Sequence, residues 1–376
     1  MMAASAYPTD LKPLTSLRFI AAFWVLLYHF RDHLGLGLGN FGLAAHGWMG
    51  VDLFFILSGF ILAHVYLEEV QEGRFGYLRF LQNRLARVYP MHLAALGAML
   101  ALFALAAATG AGVGSPDAFK LSDLPQHLLM IHAWGTTEAV GWNFPSWSIS
   151  AEWGAYLLFP LIAAAVLSHN KRPGVALGMA IALCVASFAL LDRLHVYVPG
   201  VGLSFEQMTA QIGLLRIIPS FLLGAALYNF GRHRQLPADL AWPVALAAAF
   251  WIIAVATLRL WPGLAWPALA ALIYALAETS RAQLDAPMAG QRFVFLGAAS
   301  YALYMIHLPI DIVWFHAIEK LGVTADAALP VRIAALAGVF LASTIAAAIA
   351  YRFIEEPARI WVRSIKLPRF RRPAEA

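Results

Sequence analysis

Ten runs of about 20 mostly apolar residues, each long enough to cross bilayer hydrocarbon as a helix, recur along this chain. They fall near 15–34, 48–67, 88–111, 147–168, 174–192, 211–231, 241–258, 263–279, 293–317 and 331–352. A lipid-exposed backbone must satisfy its own polar groups, and a helix does so within one segment. The pattern therefore predicts an all-α, polytopic membrane helical bundle of about ten transmembrane helices. Hydrophobic residues make up 61% of the chain and charged residues 12%, against about 25% charged in soluble domains. No polar half or low-complexity linker interrupts the runs, so residues 1–376 read as a single membrane domain without a fused soluble part. The "RLWPG" link between the seventh and eighth runs and the "GAAS" within the ninth are the places where the pattern could break. The stretch near 124–135 is too short to span and suits a re-entrant piece.

Charge sets the expected orientation. Lys12 and Arg18, the arginines from Arg74 to Arg87, Lys171 and Arg172, Arg232 and Arg234, Arg281 and Arg292, and the basic tail from Arg352 to Arg372 alternate between runs onto one set of faces. They far outnumber Arg31, Lys120, Arg193, Arg259, Lys320 and Arg332 on the other. By the positive-inside rule both termini are cytoplasmic. The net charge of +5 gathers at the ends of apolar runs, which fits membrane lipids and excludes nucleic acid as a partner. Cys184 is the only cysteine, so neither an intrachain disulfide nor a thiolate metal cluster is expected. The first run carries Arg18 and reads as a retained span, not a signal peptide.

Ionisable groups inside spans are costly and usually functional. Arg18 and His29 are eleven residues apart in the first run, about 20° beyond three helical turns and roughly 16 Å along the axis. They share a face, with Ala22 and Val25 between them. That face is expected to border a channel, with a cation at one end of a long substrate and an imidazole at the other. Asp52 in the second run lies at about the depth of His29, as a further catalytic carboxylate or a helix cap, while Gly59 permits close helix contact. Ser58 reads as a packing residue bonded to its own backbone. Arg79, Arg84 and Arg87 precede Pro90; they satisfy the topology rule and could equally clamp phosphate, joining Arg18 around an anionic, nucleotide-like donor. Ser148, Glu152 and Tyr156 recur every four residues on one face of the fourth run, and Glu152 needs a partner, for which His29 or Arg216 is the natural choice. Arg216 could neutralise Glu152 or steady an oxyanion. Trp134, Trp142, Trp147 and Trp153 suit an interfacial belt or a sugar platform. Ser300, Tyr304, His307 and Asp311 form a second stripe, in which His307 is either a core histidine bonded to Tyr304 or a second base. Arg352, Glu355 and Glu356 read as a surface ion-pair set.

"LTSLRFIAAFWVLLYHF", "GVDLFFILSGFIL", "RLARVYP", "WSISAEW", "RIIPSFLLGAALY", "SYALYMIHLPI" and "FIEEPARIW" together resemble the acyltransferase-3 family of bacterial integral-membrane O-acyltransferases, over nearly the whole chain. The resemblance implies an enzyme of the inner membrane. It would move an acyl group, often acetyl, from cytoplasmic acyl-CoA to a hydroxyl of a carbohydrate, lipid-linked saccharide or small molecule at the outer side. It also implies functional roles for Arg18, His29, Arg84, Arg87 and Glu152. Family members often carry two adjacent acidic residues in the tryptophan-serine motif, whereas Trp153 follows Glu152 here. Neutral His29 could take the proton of an acceptor hydroxyl as it attacks the thioester, with Glu152 orienting or balancing the imidazolium and no metal required. The span from Arg18 to His29 suits an extended pantetheine arm. The same intramembrane charges would also suit a transporter or flippase for a lipid-linked glycan, although no two-halves repeat is present.

Overall fold

Each of the ten apolar runs becomes a helix in the structure, a computed structural model that describes residues 7–110, 119–137, 141–197, 213–284 and 287–366. The tail from 367 onward, part of the expected basic segment, lies outside the described residues. In chain order the helices are α1 (Lys12–Phe30), the short α2 (Gly42–Ala45), α3 (Met49–Gln71), α4 (Tyr77–Thr109) and the short α5 (Leu124–Leu128). They continue with α6 (Trp147–Leu157), α7 (Phe159–Ser168), α8 (Pro173–Tyr197), α9 (Gly213–His233) and α10 (Ala238–Thr257). The last are α11 (Ala265–Arg281), α12 (Gln291–Lys320), α13 (Leu329–Ala350) and α14 (Glu356–Ser364). Among the described residues 8 helices are long and apolar enough to cross a membrane, and 9 if the bent pair α6–α7 is one span. The remaining run, α11, is 17 residues, about 25 Å, and so is shorter than a full hydrocarbon crossing.

Three departures from the simple run pattern shape the interior. α4 is 33 residues, about 50 Å, because the arginine-rich segment expected as a loop continues the third span as helix; Pro90 sits inside it. The fourth run breaks by 59° between α6 and α7, where Pro160 sits in the first turn of α7 and cannot donate its missing N–H. After α13 a π-turn covers Tyr351–Glu355. Pro357 follows, and its ring would clash with the carbonyl of Phe353 in a regular helix; the wider turn relieves this and rotates the next residues. No break occurs at "GAAS", since α12 runs continuously through it.

Close backbone approach sets the packing, as expected where helices associate without a hydrophobic driving force. A side chain at Gly59 would strike the carbonyl of Phe221, and one at Gly224 the carbonyl of Ile56, which locks α3 to α9. Gly297 sits as tightly against the carbonyl of Thr15, and so joins α12 to α1. At the N-terminus Tyr7 donates to Glu278 Oε1 at 2.6 Å while the Arg281 guanidinium stacks 3.6 Å from its ring. Arg281 also pairs with Glu278 at 2.8 Å. It is therefore a buried structural cation as well as a contributor to the charge asymmetry.

Candidate active site

A cavity of about 300 Å³ lies among α1, α3, α4, α6, α12 and α14, and its charged lining is five arginines and one glutamate: Arg18, Arg84, Arg87, Arg359, Arg363 and Glu152. Arg84 and Arg87 are three apart on α4 and so face the same way. The protruding first half of α4 delivers them to the mouth of the cavity. Arg87 is held by Glu355, which the π-turn has swung inward until it is fully buried. The sequence placed Glu355 in a surface set with Arg352; instead Arg352 is exposed and Glu355 is inside. Arg18 and Arg84 make no hydrogen bond or ion pair with the described residues, although Arg84 lies 5.8 Å from the Tyr66 ring and 5.9 Å from those of Phe80 and Tyr156.

Ser148, Glu152 and Tyr156 do share the cavity wall, as their four-residue spacing predicts. The partner of Glu152 is neither His29 nor Arg216 but Ser58, whose hydroxyl donates to Oε1 at 2.5 Å. Ser58 thus does more than fill space: it turns away from its own backbone to satisfy the carboxylate. At the inner end of the cavity the Ser148 hydroxyl donates to Tyr304 Oη at 2.9 Å, and Tyr304 donates onward to the Pro145 carbonyl at 2.9 Å.

Arg216 faces elsewhere. Its Nε and Nη2 grip the two oxygens of Asp52 at 3.1 and 2.8 Å, between the rings of Trp48 and Trp147 at 5.3 and 5.0 Å. Asp52 is fully buried, forms no helix cap, and does not line the cavity. The expected Arg216–Glu152 contact fails because Arg216 is taken up by Asp52 at the start of α3 and by Trp147, the first residue of α6. Trp142 and Trp147 are core residues and so belong neither to an interfacial belt nor to an open sugar platform.

His29 is half-buried and is absent from the cavity lining. Ala22 and Val25, the stripe between it and Arg18, are sealed: Gly50 brings α3 so close that a Cβ there would lie 2.7 Å from the Ala21 carbonyl and 2.9 Å from Val25 Cγ2. The open shaft expected along this face of α1 is therefore closed, and the cavity instead ends at Ser148 and Tyr304. His29 lies past them, linked through His307. Nδ1 of His307 is 2.7 Å from the Tyr304 carbonyl, which can only accept, so that nitrogen carries the proton. Its Nε2 is then a lone pair 3.2 Å from His29 Nδ1, and His29 Nδ1 also lies 3.0 Å from the Val25 carbonyl. With two acceptors before it, His29 Nδ1 is the protonated nitrogen. His29 Nε2 is left as a free lone pair, buried and without a partner. His307 is thus the core histidine bonded to Tyr304, through the main-chain carbonyl, and its contact with His29 is what the stripe spacing did not reveal.

A second imidazole group, His92, His127 and His132, stacks under the 124–135 segment, with the His127 and His132 rings 4.0 Å apart. Outside the spans, burial, reinforced by nearby His92, holds His127 down at about 4. It is neutral at physiological pH and adds no charge for an anion.

Sequence reasoning missed Arg359 and Arg363. The available signal was their four-residue spacing after Pro357, with Ile360 and Trp361 on other faces, which reads as an amphipathic helix.

The family profile described as Acyltransferase domain matches residues 13–352. The chain is 28% identical to "Acyltransferase MdmB" of Streptomyces mycarofaciens, over 80% of this chain and 79% of that protein. It is 32% identical to "Protein 2 in picA locus" of Rhizobium radiobacter, over 38% of this chain and 81% of that protein. With "O-acetyltransferase OatA" of Staphylococcus aureus (strain NCTC 8325 / PS 47) it shares 23% identity over 94% of this chain and 58% of that protein. The chain thus spans less than two thirds of that last relative. No solved structure matches significantly.

Proposed function

Because this chain belongs to the acyltransferase-3 family and is a multi-pass membrane O-acyltransferase, we propose that it transfers an acyl group, acetyl in the simplest case, from acyl-CoA to a hydroxyl acceptor. The observation that carries this reading is the cavity in which five arginines face one carboxylate, Glu152, and Arg18 and Arg84 make no hydrogen bond or ion pair with the described residues. Guanidinium forks match phosphate oxygens, and a donor with a phosphate-rich head and a thin acyl-bearing arm suits a mouth lined by cations and an inner end at Ser148 and Tyr304. With the positive-inside orientation the mouth faces the cytoplasm, the membrane is the bacterial inner membrane, and His29 is on the acceptor side. The acceptor class we favour is a glycan or lipid-linked saccharide; that the acceptor atom is a hydroxyl oxygen fits the name of a relative, an O-acetyltransferase. A flippase reading has no such support.

In this mechanism the acyl end of the donor passes the Ser148–Tyr304 end of the cavity to reach His29, whose free Nε2 removes the proton of the acceptor hydroxyl while the hydroxyl oxygen attacks the thioester carbonyl. The C–S bond breaks, CoA leaves as thiolate, and the imidazolium returns the proton to sulfur. Val25 O and His307 Nε2 keep the proton on Nδ1 throughout, and their bonds to it strengthen as the ring becomes charged. Glu152, held by Ser58, offsets the excess of positive charge near Arg18 instead of orienting His29.

The test is CoA release from acetyl-CoA by the full-length protein in lipid nanodiscs, with a polysaccharide acceptor. His29→Ala should lower turnover by about 10²- to 10⁴-fold, the usual range for loss of a general base, with donor affinity unchanged. Wild-type turnover in that variant would remove His29 from the chemistry.

A further inference from the structure

α14 carries two faces with different tasks. Arg359 and Arg363, one helical turn apart, line the cavity beside Arg18, Arg84 and Arg87. Ile360 and Trp361 are 63% and 67% exposed, and Phe353, just before α14, is 73% exposed. An apolar face of this kind opposite a basic one lies in the membrane interface, continuous here with the end of the α13 span. The helix is fastened to α4 through its main chain alone: Arg79 donates to the Arg363 carbonyl at 2.9 Å. Gln82 donates to the carbonyls of Val362 and Ile365 at 2.8 and 2.7 Å. Arg359 pairs with Glu356 only at 4.0 Å, and Arg363 makes no ion pair with the described residues. Both lie beyond residues 13–352, the stretch matched by the family profile.

The cavity therefore has two tiers of cations: Arg18 and Arg84 within, and Arg363 with Arg359, which Glu356 approaches only to 4.0 Å, at the solvent-facing rim. One diphosphate can occupy one tier. A second tier requires a separate anionic group at the end of the ligand farthest from the acyl carbon. We propose that α14 is a second anion subsite, which takes the ribose 3′-phosphate of the acyl-CoA donor while Arg18 and Arg84 take its diphosphate. The enzyme then discriminates acetyl-CoA from acetyl-dephospho-CoA, two donors identical at the reacting end. This rests on the acyl-CoA reading above.

The experiment measures binding of acetyl-CoA and acetyl-dephospho-CoA to full-length protein in nanodiscs, for wild type, Arg363→Gln and the double variant Arg359→Gln/Arg363→Gln. Wild type should prefer acetyl-CoA by roughly tenfold or more, the value of one charge-assisted contact. The double variant should bind both donors equally, at the wild-type affinity for the dephospho form, and Arg363→Gln should lose part of the preference. The main-chain tethers of α14 survive both changes, and an unaltered thermal unfolding profile checks this. Equal wild-type affinities, or a preference that persists in the double variant, overturns the subsite alone. Failure of wild type to bind either donor overturns the subsite and the acyl-CoA reading together.

Discussion

Two intramembrane arginine–carboxylate settings lie on α3 within two turns of each other, and they are opposites. At Asp52 the carboxylate is gripped by Nε and Nη2 of Arg216 between two indole rings, away from the cavity. At Ser58 and Glu152 the carboxylate is held by a hydroxyl, while Arg18 and Arg84 face the cavity without an ion pair to the described residues. A charge within a span marks importance in both places, but only the state of its counter-ion separates a girder from a binding site. Desolvating a bidentate pair is tolerable because the geometry is good; leaving cations unpaired is tolerable only where water or an anion reaches them.

That contrast can be broken by substitution. The largest effect should come from Asp52→Asn, which strands the Arg216 charge: a loss of about 3–5 kcal/mol in stability, read by reversible unfolding in mixed micelles. The paired change Asp52→Leu/Arg216→Leu should restore most of it. An unchanged unfolding midpoint in Asp52→Asn would falsify the girder role. Next in size, Arg18→Ala should leave stability intact while weakening acetyl-CoA binding by about 1.5–3 kcal/mol, one charge-assisted contact; titration calorimetry decides it, and equal affinities in variant and wild type would end the clamp. Glu355→Gln should cost about 1.5 kcal/mol of stability through its weaker bond to Arg87, and it should tighten donor binding, since Arg87 then joins the free cations. A looser donor complex in that variant would place Arg87 outside the anion site. The smallest change is Ser58→Ala, which removes one hydrogen bond from Glu152, about 1 kcal/mol. Kinetics should show turnover falling a few-fold with donor affinity preserved, and no kinetic change at all would make the Ser58 contact incidental.

Much of the site was legible in advance at the level of single helices. Ser148, Glu152 and Tyr156 share a wall because i, i+4 spacing fixes a face whatever surrounds it. Arg18, Arg84 and Arg87 gather at one end because charge excess marks one end of each span. Partnerships between helices were not legible. Arg216 has a clear phase on α9, but whether that phase meets Asp52 or Glu152 depends on how deeply Gly59 and Gly224 let the backbones of α3 and α9 sink together. The channel expected beside Ala22 and Val25 closed for the same reason, since Gly50 admits α3 to that stripe. Glu355 was misplaced because the π-turn shifts the helical phase, so 3.6-residue counting fails just where the carboxylate turns inward.

Hydropathy and charge alone determined that this chain is a helical membrane protein and which side chains must sit at awkward depth, because the cost of a bare backbone or charge in lipid depends on the residue and not on its neighbours. Tertiary structure alone decided which of those charges are neutralised and which stay open to a donor. Pairing is set by the rotation and separation of helices far apart in sequence: the Val25 carbonyl on its own helix already faces His29 Nδ1, but the second acceptor there, His307, comes from another helix.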